Sequence, residues 1–293
     1  MKWLKKNGLT VILLLILLTG LGLLLYPSFS DYWNSFHQSR AIASYAESVA
    51  DMSREKYDEI IAGVEAYNGE LSKNGIKWIL DDEEKKIYNE QLSVGDSSIM
   101  GYIDIPKIDI KLPIYHGTDE SILQIAIGHL EGTSLPVGGE GSHCVMSGHR
   151  GLPSAKLFSD LDKMVEGDTF SLTVMNRTLT YEVDQIRVVE PSDLSDLKIE
   201  KGKDYCTLVT CTPYGINTHR LLVRGHRTQN PDGDAEVIAD ALQIEPVYIA
   251  PFLAGPVLVL LILGVLVATG RRASAKRRKK KALQESGFYI EDR

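Results

Sequence analysis

At 293 residues, 44% hydrophobic and 24% charged, the chain has the length for one large domain or two small ones. Its formal net charge of −7 is unevenly placed: three lysines and no acid occupy the first eight residues, residues 271–293 hold nine basic and three acidic side chains, and the stretch between stands near −16. So acidic a middle repels phosphate, which excludes nucleic acid as a partner, and it stays soluble in water.

In chain order, Leu9 to Tyr26 is an almost unbroken apolar run behind Lys2, Lys5 and Lys6. At about 1.5 Å per residue it can cross a hydrocarbon core of roughly 30 Å. A cleaved signal peptide is the rival reading. It needs a small-x-small cleavage site, and Tyr26-Pro27-Ser28-Phe29-Ser30 is a poor one, so the sequence favours an uncleaved anchor. Ser30 or Asp31 can then cap a new helix, with Tyr32, Phe36, Ile42, Tyr45 and Val49 at helical spacing. A further helix is expected from Ser53, whose Ser-Arg-Glu-Lys start resembles a capping box, through Tyr57, Ile60, Ile61, Val64 and Tyr67. Asn68-Gly69 and Asn74-Gly75 read as breakers. The bland account of this region is a helical stalk.

After Gly95 the texture changes. Residues 100–105, 111–115, 144–147, 169–175, 179–189, 206–211 and 219–225 are short β-branched or alternating runs punctuated by Gly and Pro, with a short helix expected from Glu120 to Gly128. So many short strands argue for a closed barrel or a sandwich. Val247 to Thr269 is apolar again, and eight of the eleven residues in RRASAKRRKKK, Arg271 to Lys281, are basic. Such a run can be a solvated tail or a nucleic-acid arm; directly after a span the positive-inside rule accounts for it better. Basic flanks on both spans predict both termini in the cytoplasm and the middle outside the cell. The expected boundaries are 1–29 for the flank and membrane anchor, 30–98 for the helical stalk, 99–230 for the barrel, 231–246 for a linker, 247–270 for the second membrane helix and 271–293 for the tail.

The segment TLVTCTPYGINTHRLLVRG, Thr207 to Gly225, carries the chemistry. Strand, turn and returning strand bring Cys211 beside Arg220: a nucleophile next to a fixed cation that can steady an oxyanion. SGHRG supplies His149 as the base. Each has a plainer alternative. A single strand cysteine is commonly a small buried hydrophobe, most of the seven histidines are structural or on the surface, and Arg220 suits an ordinary ion pair. Arg224, Arg227 and His219 read as structural. Cys144 and Cys206 are either paired or both buried thiols; the sequence does not choose. Gly138-Gly139-Glu140-Gly141 lacks the Lys-Ser/Thr of a phosphate loop, and no metal, nucleotide or organic cofactor motif is present.

TLVTC with Arg220 nine residues on and an upstream GHR resembles the sortase family of Gram-positive cell-surface transpeptidases. TCTPYGINTHRLLVRG, GYIDIPKIDIKLPIYHGT (Gly101 to Thr118), GHLEGTSLPVGG (Gly128 to Gly139) and SGHRGLPSAKLFSDLDKM (Ser147 to Met164) resemble its class C, pilus-assembling branch. The likeness runs from about Met100 to Arg227. It implies a mainly β fold: the eight-stranded sortase barrel with an N-terminal helical region and a transmembrane helix at each end. It implies Cys211 as nucleophile, His149 as acid–base and Arg220 as oxyanion or substrate partner, with no metal and no cofactor. It implies cleavage of an LPXTG-like sorting signal between Thr and Gly, and transfer to a lysine amine of a second pilin. The rivals are a sortase that anchors proteins to peptidoglycan and a non-catalytic barrel that only binds sorting signals. The chain departs from the branch in one respect: the Asp-Pro-aromatic tripeptide of its lid is absent. Trp78 can plug the cleft instead, and Asp81 or Asp82 can pair with Arg220; the plain alternative is a surface loop leading into a helix.

Overall fold

Helix α1 runs from Lys2 to Ala50 without interruption and carries Pro27 within it. The break expected at Ser30 or Asp31 does not occur. A proline deletes one backbone hydrogen bond, and between two strongly helical stretches that loss does not end the helix. From Val11 the helix contains a stretch of mean hydropathy 2.3 with none of it buried, and it is long and apolar enough to cross a membrane. The computed structural model describes residues 2–95 and 98–230, with six isolated helical positions between 255 and 282. The chain divides into two units, Met1–Leu242 and Gln243–Arg293. Apart from those six positions, the expected linker, second span and basic tail lie outside the described residues.

Helix α2 (Arg54–Asn74) starts at Ser53, whose side chain accepts from Lys56 N at 3.3 Å, one half of the expected capping box because Lys56 stands where the Glu would. It stops where expected, at Gly75 with φ 82°. It passes straight through Asn68-Gly69, however. Asn68 is buried; its Nδ2 donates to Leu135 O at 3.0 Å and its Oδ1 accepts from Leu135 N at 2.7 Å. An amide that pairs with a neighbouring backbone no longer competes with its own helix, which removes the reason to break there. Helix α3 (Asp82–Glu90) opens on Asp81 in a full capping box with Glu84 and buries Tyr88.

Eight strands follow: β1 (Ile99–Ile105), β2 (Ile110–His116), β3 (Ile127–His129), β4 (Ser142–Ser147), β5 (Thr169–Val174), β6 (Arg177–Val189), β7 (Asp204–Thr212) and β8 (His219–Arg227). They close into a barrel in the order β1-β2-β3-β4-β7-β8-β6-β5. The β2–β3 and β4–β7 pairs are parallel and the others antiparallel. The seven runs seen in the sequence are seven of these strands. The eighth, β3, lies in the segment expected to be helical to Gly128; helix α4 occupies only Glu120–Leu123. Three residues are too few for any periodic signal, and β3 exists because the edges of β2 and β4 both need a partner.

Side chains alternate across the barrel wall. Cys144, Met146, Cys206, Leu208 and Val223 point into the main core. Val145 and Leu222 point outward and are covered by Leu197 from the β6–β7 connection, with Leu194 and Val209 beside them. Helices α1 to α3 pack on the outside through residues such as Tyr45, Val64 and Tyr88.

Candidate active site

The β7–β8 register sets Cys211 directly opposite Arg220 and Thr212 opposite His219. On the other side of β7, the parallel register with β4 ends at Ser147 opposite Val209. Two bonds carry it one step further: Gly148 N donates to Val209 O at 3.1 Å, and Thr210 Oγ1 to Gly148 O at 2.7 Å. Backbone pairing therefore sets Cys211 beside Arg220, and the loop that carries His149 leaves β4 alongside the last residues of β7.

Alternation also sets the direction. Cys206 and Leu208 face the core, as do Cys144 and Met146, so Val209 and Cys211 face outward with Val145. Below the thiol the outer face carries the partly exposed Val209, packed beside Leu222, which Leu197 covers. Gly148 faces inward: a Cβ there would stand 2.7 Å from the Phe158 ring and 3.0 Å from Ile127 Cγ2. Only glycine lets the chain pass this close to the core and turn His149 outward.

The thiol of Cys211 is partly exposed. His149 Nε2 lies 3.4 Å from the Glu120 carboxylate of α4 but makes no aligned hydrogen bond. A hydrogen bond from Gln124 first, and then the nearby His149, hold the Glu120 carboxyl below its ordinary range. Arg220 Nη1 donates to Asn217 O at 3.4 Å and His219 O at 3.2 Å, so the turn holds the guanidinium at the rim.

Glu120 was not legible as a site residue, nor was Arg150. The Arg150 side chain is 9% exposed; it reaches Thr212 Oγ1 at 3.3 Å, pairs with Asp162 and lies 5.8 Å over the Tyr214 ring. It ties the His149 loop to the residues that follow Cys211. The signal was the HR pair itself, which gave no hint of its partners 12 and 62 residues away.

The other predicted residues lie elsewhere. Asp81 caps α3, accepting from Glu84 N at 2.9 Å, and Lys77 binds Glu84. The Lys77 carbonyl lies against Gly132, and Trp78 is 38% exposed. Gly132 follows β3, near Ser134, whose N bonds His143 O at the start of β4, whereas Cys211 adjoins the end of β4. Segment 77–82 thus leads into a helix at the opposite end of the wall, and its contacts are with α3 and Gly132 rather than Arg220. Cys144 and Cys206 are paired Cα partners and both are free, buried thiols. Burial first, and then a hydrogen bond with Cys206, push the Cys144 thiol well up. Arg224 makes a two-point pair with Asp184 at 3.0 and 3.1 Å and stacks on Tyr205 at 4.2 Å, a structural role. No cluster of three or more metal-ligating side chains occurs among the described residues.

Residues 103–228 match the Sortase domain family model. Sortase D of Bacillus subtilis is 30% identical over 149 residues, 50% of this chain and 71% of that protein. Sortase A of Staphylococcus aureus is 30% identical over 159 residues, 53% of this chain and 73% of that protein. The chain belongs to the sortase family. Within it, several of its structural neighbours are sortases C. Sortase C1 from Streptococcus agalactiae is 57% identical, with a TM-score of 0.64 over 65% of this chain and 99% of that one. Sortase C from Clostridium perfringens, solved with the C-terminal cell wall sorting motif, is 46% identical, with a TM-score of 0.58 over 65% of this chain and 99% of that one.

Proposed function

We propose that the chain is a class C sortase: a cysteine transpeptidase that joins pilin subunits outside a Gram-positive cell. The Cys211 thiolate attacks the Thr carbonyl of an LPXTG-like signal, and Arg220 donates to the oxygen as its charge develops. The Thr–Gly C–N bond breaks as the His149 imidazolium gives its proton to the leaving glycine amine, which leaves a thioester on Cys211. A lysine amine of a second pilin attacks that thioester. An amide forms, the C–S bond breaks, and the amine proton passes to His149. The partly exposed Val209, two residues before Cys211 on the same face, suits the aliphatic part of the signal. No metal or organic cofactor takes part.

The observation that carries the reading is the Cys211–Arg220 pair across β7 and β8, with the His149 loop leaving β4 beside the end of β7. Pilin joining is favoured over peptidoglycan anchoring because two sortase C structures stand at 57% and 46% identity, above the 30% of sortase D of Bacillus subtilis and sortase A of Staphylococcus aureus. The complete trio disfavours a barrel that only binds. We further propose that two spans hold the enzyme, with both termini cytoplasmic; the apolar α1 and the basic flanks support this. We read the site as uncovered by Trp78, Asp81 and Asp82, given their engagement with α3. The test mixes the full chain in detergent micelles with candidate pilins and looks for a ladder that survives heat and SDS. Cys211→Ala should give none and Cys206→Ala should give the full ladder. A ladder from Cys211→Ala would overturn the reading.

A further inference from the structure

Three hydrogen bonds fix which end of the barrel α1 meets first as it leaves its apolar stretch. Asp31 Oδ1 accepts from Lys156 N at 2.7 Å, Asn34 Nδ2 donates to Ser154 O at 2.7 Å, and Gln38 Nε2 donates to Ile125 O at 2.6 Å. All three partners belong to the catalytic end: 154 and 156 lie in the loop that leaves His149, and Ile125 sits between Glu120 and β3. Further up the same helix, the Tyr45 hydroxyl donates to Met100 O and accepts from Met175 N, each at 2.8 Å. Met175 lies in the β5–β6 turn, at the other end of the barrel. Helix α1 thus lies along the wall, catalytic end first, over about 20 Å between Asp31 and Tyr45.

The apolar part of the same helix immediately precedes these contacts. Tyr26 and Asp31 are five residues apart, about 8 Å along the axis. The turns between and just beyond them expose Phe29 (49%), Trp33 (56%) and Phe36 (43%), with Phe29 stacked on Trp33 at 6.5 Å. Aromatic rings collect at the headgroup level of a bilayer. At the same end the barrel exposes Ile125 (48%), Tyr214 (62%) and Ile216 (67%). A few exposed side chains are ordinary by themselves; these lie on the end that the helix turns toward its span.

We infer that the catalytic end of the barrel faces the membrane and that its rim, Ile125 with the 214–216 turn, rests on the lipid surface, held there by α1 as a rigid strut. The inference rests on the reading of α1 as a membrane anchor. It does not need the transpeptidase assignment. The surface it recognises is a lipid headgroup layer. The cleft then opens within about 20 Å of the bilayer, the reach of roughly six extended residues, so a membrane-held substrate has to present its scissile bond close to its own anchor.

The test reconstitutes the full chain in phosphatidylcholine–phosphatidylglycerol nanodiscs containing a lipid with a diazirine on its headgroup, and maps adducts by mass spectrometry after illumination. Adducts at 120–126 and 213–218 are expected. Adducts at the 174–177 turn with none at 213–218 would overturn the inference. A second protein carries seven helix-forming residues inserted after Phe29, nearly two turns, which raises the barrel about 10 Å with its facing kept. Adducts at 213–218 should fall at least fivefold, while cleavage of a soluble sorting-signal peptide stays within twofold. Unchanged adducts in the inserted protein would also overturn the inference. Failure of both proteins to cleave the soluble peptide would count against the transpeptidase reading alone, since cross-linking does not depend on activity.

Discussion

His129 should make the barrel acid-sensitive by a calculable amount. The ring is wholly buried between Tyr88 of α3 and the turn after β3. Nε2 lies 2.8 Å from Ser134 O, a carbonyl that can only accept, so Nε2 holds the proton. Nδ1 is then the acceptor for the Tyr88 hydroxyl at 2.8 Å. A second proton would find no solvent, and burial pushes the imidazole down from 6.5 to about 4. Because the folded value is the lower, the unfolded chain binds the extra proton first. The stability from a neutral His129 is therefore complete above about pH 6.5 and drains away as pH falls toward 4. Linkage gives a loss of about 2 kcal/mol at pH 5 and about 3 kcal/mol at pH 4. At typical urea slopes the first figure moves the midpoint by roughly 1 M. Burial lowers His143 too, which adds in the same direction, whereas burial raises Asp104 and Asp204, which gain stability as they protonate. The informative quantity is thus the difference between wild type and His129→Gln, followed by near-UV circular dichroism in urea at pH 7.5, 5 and 4. The gap between them should shrink, or reverse, by the amounts given. Parallel loss in the two proteins would refute the reasoning.

Three further outcomes are expected. His149→Ala should lower turnover about 10²–10⁴-fold, the ordinary worth of a placed acid–base group, in a peptide cleavage assay; near-normal rates would move the role elsewhere. Gly148→Ala puts a Cβ 2.7 Å from Phe158, so it should cost about 1–3 kcal/mol in urea unfolding and also lower turnover, because the backbone that carries His149 must shift. Asp81→Ala should cost about 1 kcal/mol through loss of the α3 cap and leave the alkylation rate of Cys211 unchanged; a tenfold rise would mean that segment 77–82 covers the thiol after all.

Much of the barrel was legible because strands of six or more residues leave a period-two trace, as β5, β6, β7 and β8 do. β3 left none, since its three residues are strand only by virtue of both neighbours. The Cys211–Arg220 pairing followed from a local hairpin, which sequence can show. The approach of the His149 loop to the end of β7 depends on a parallel pairing across more than sixty residues, and only the family resemblance carried it. Glu120 and Arg150 escaped for the same reason: their partners are set by topology. The reading of Ser30 or Asp31 as a fresh helix start and of Asn68 as a breaker weighed local preference against nothing. In the fold, continuous helix on either side and a backbone partner at Leu135 outweigh it.

That forked amide has a consequence for how the helical layer is positioned. A greasy helix face can slide by a turn at little cost, since one aliphatic contact replaces another. Asn68 permits no such drift. It reads main-chain atoms, so it is indifferent to which side chain stands at 135, yet displaced by a single residue it would strand two donors and two acceptors away from water, at about 1–3 kcal/mol each. The helix therefore has one parking position on the barrel, and every element linked to α2 in the chain inherits that position.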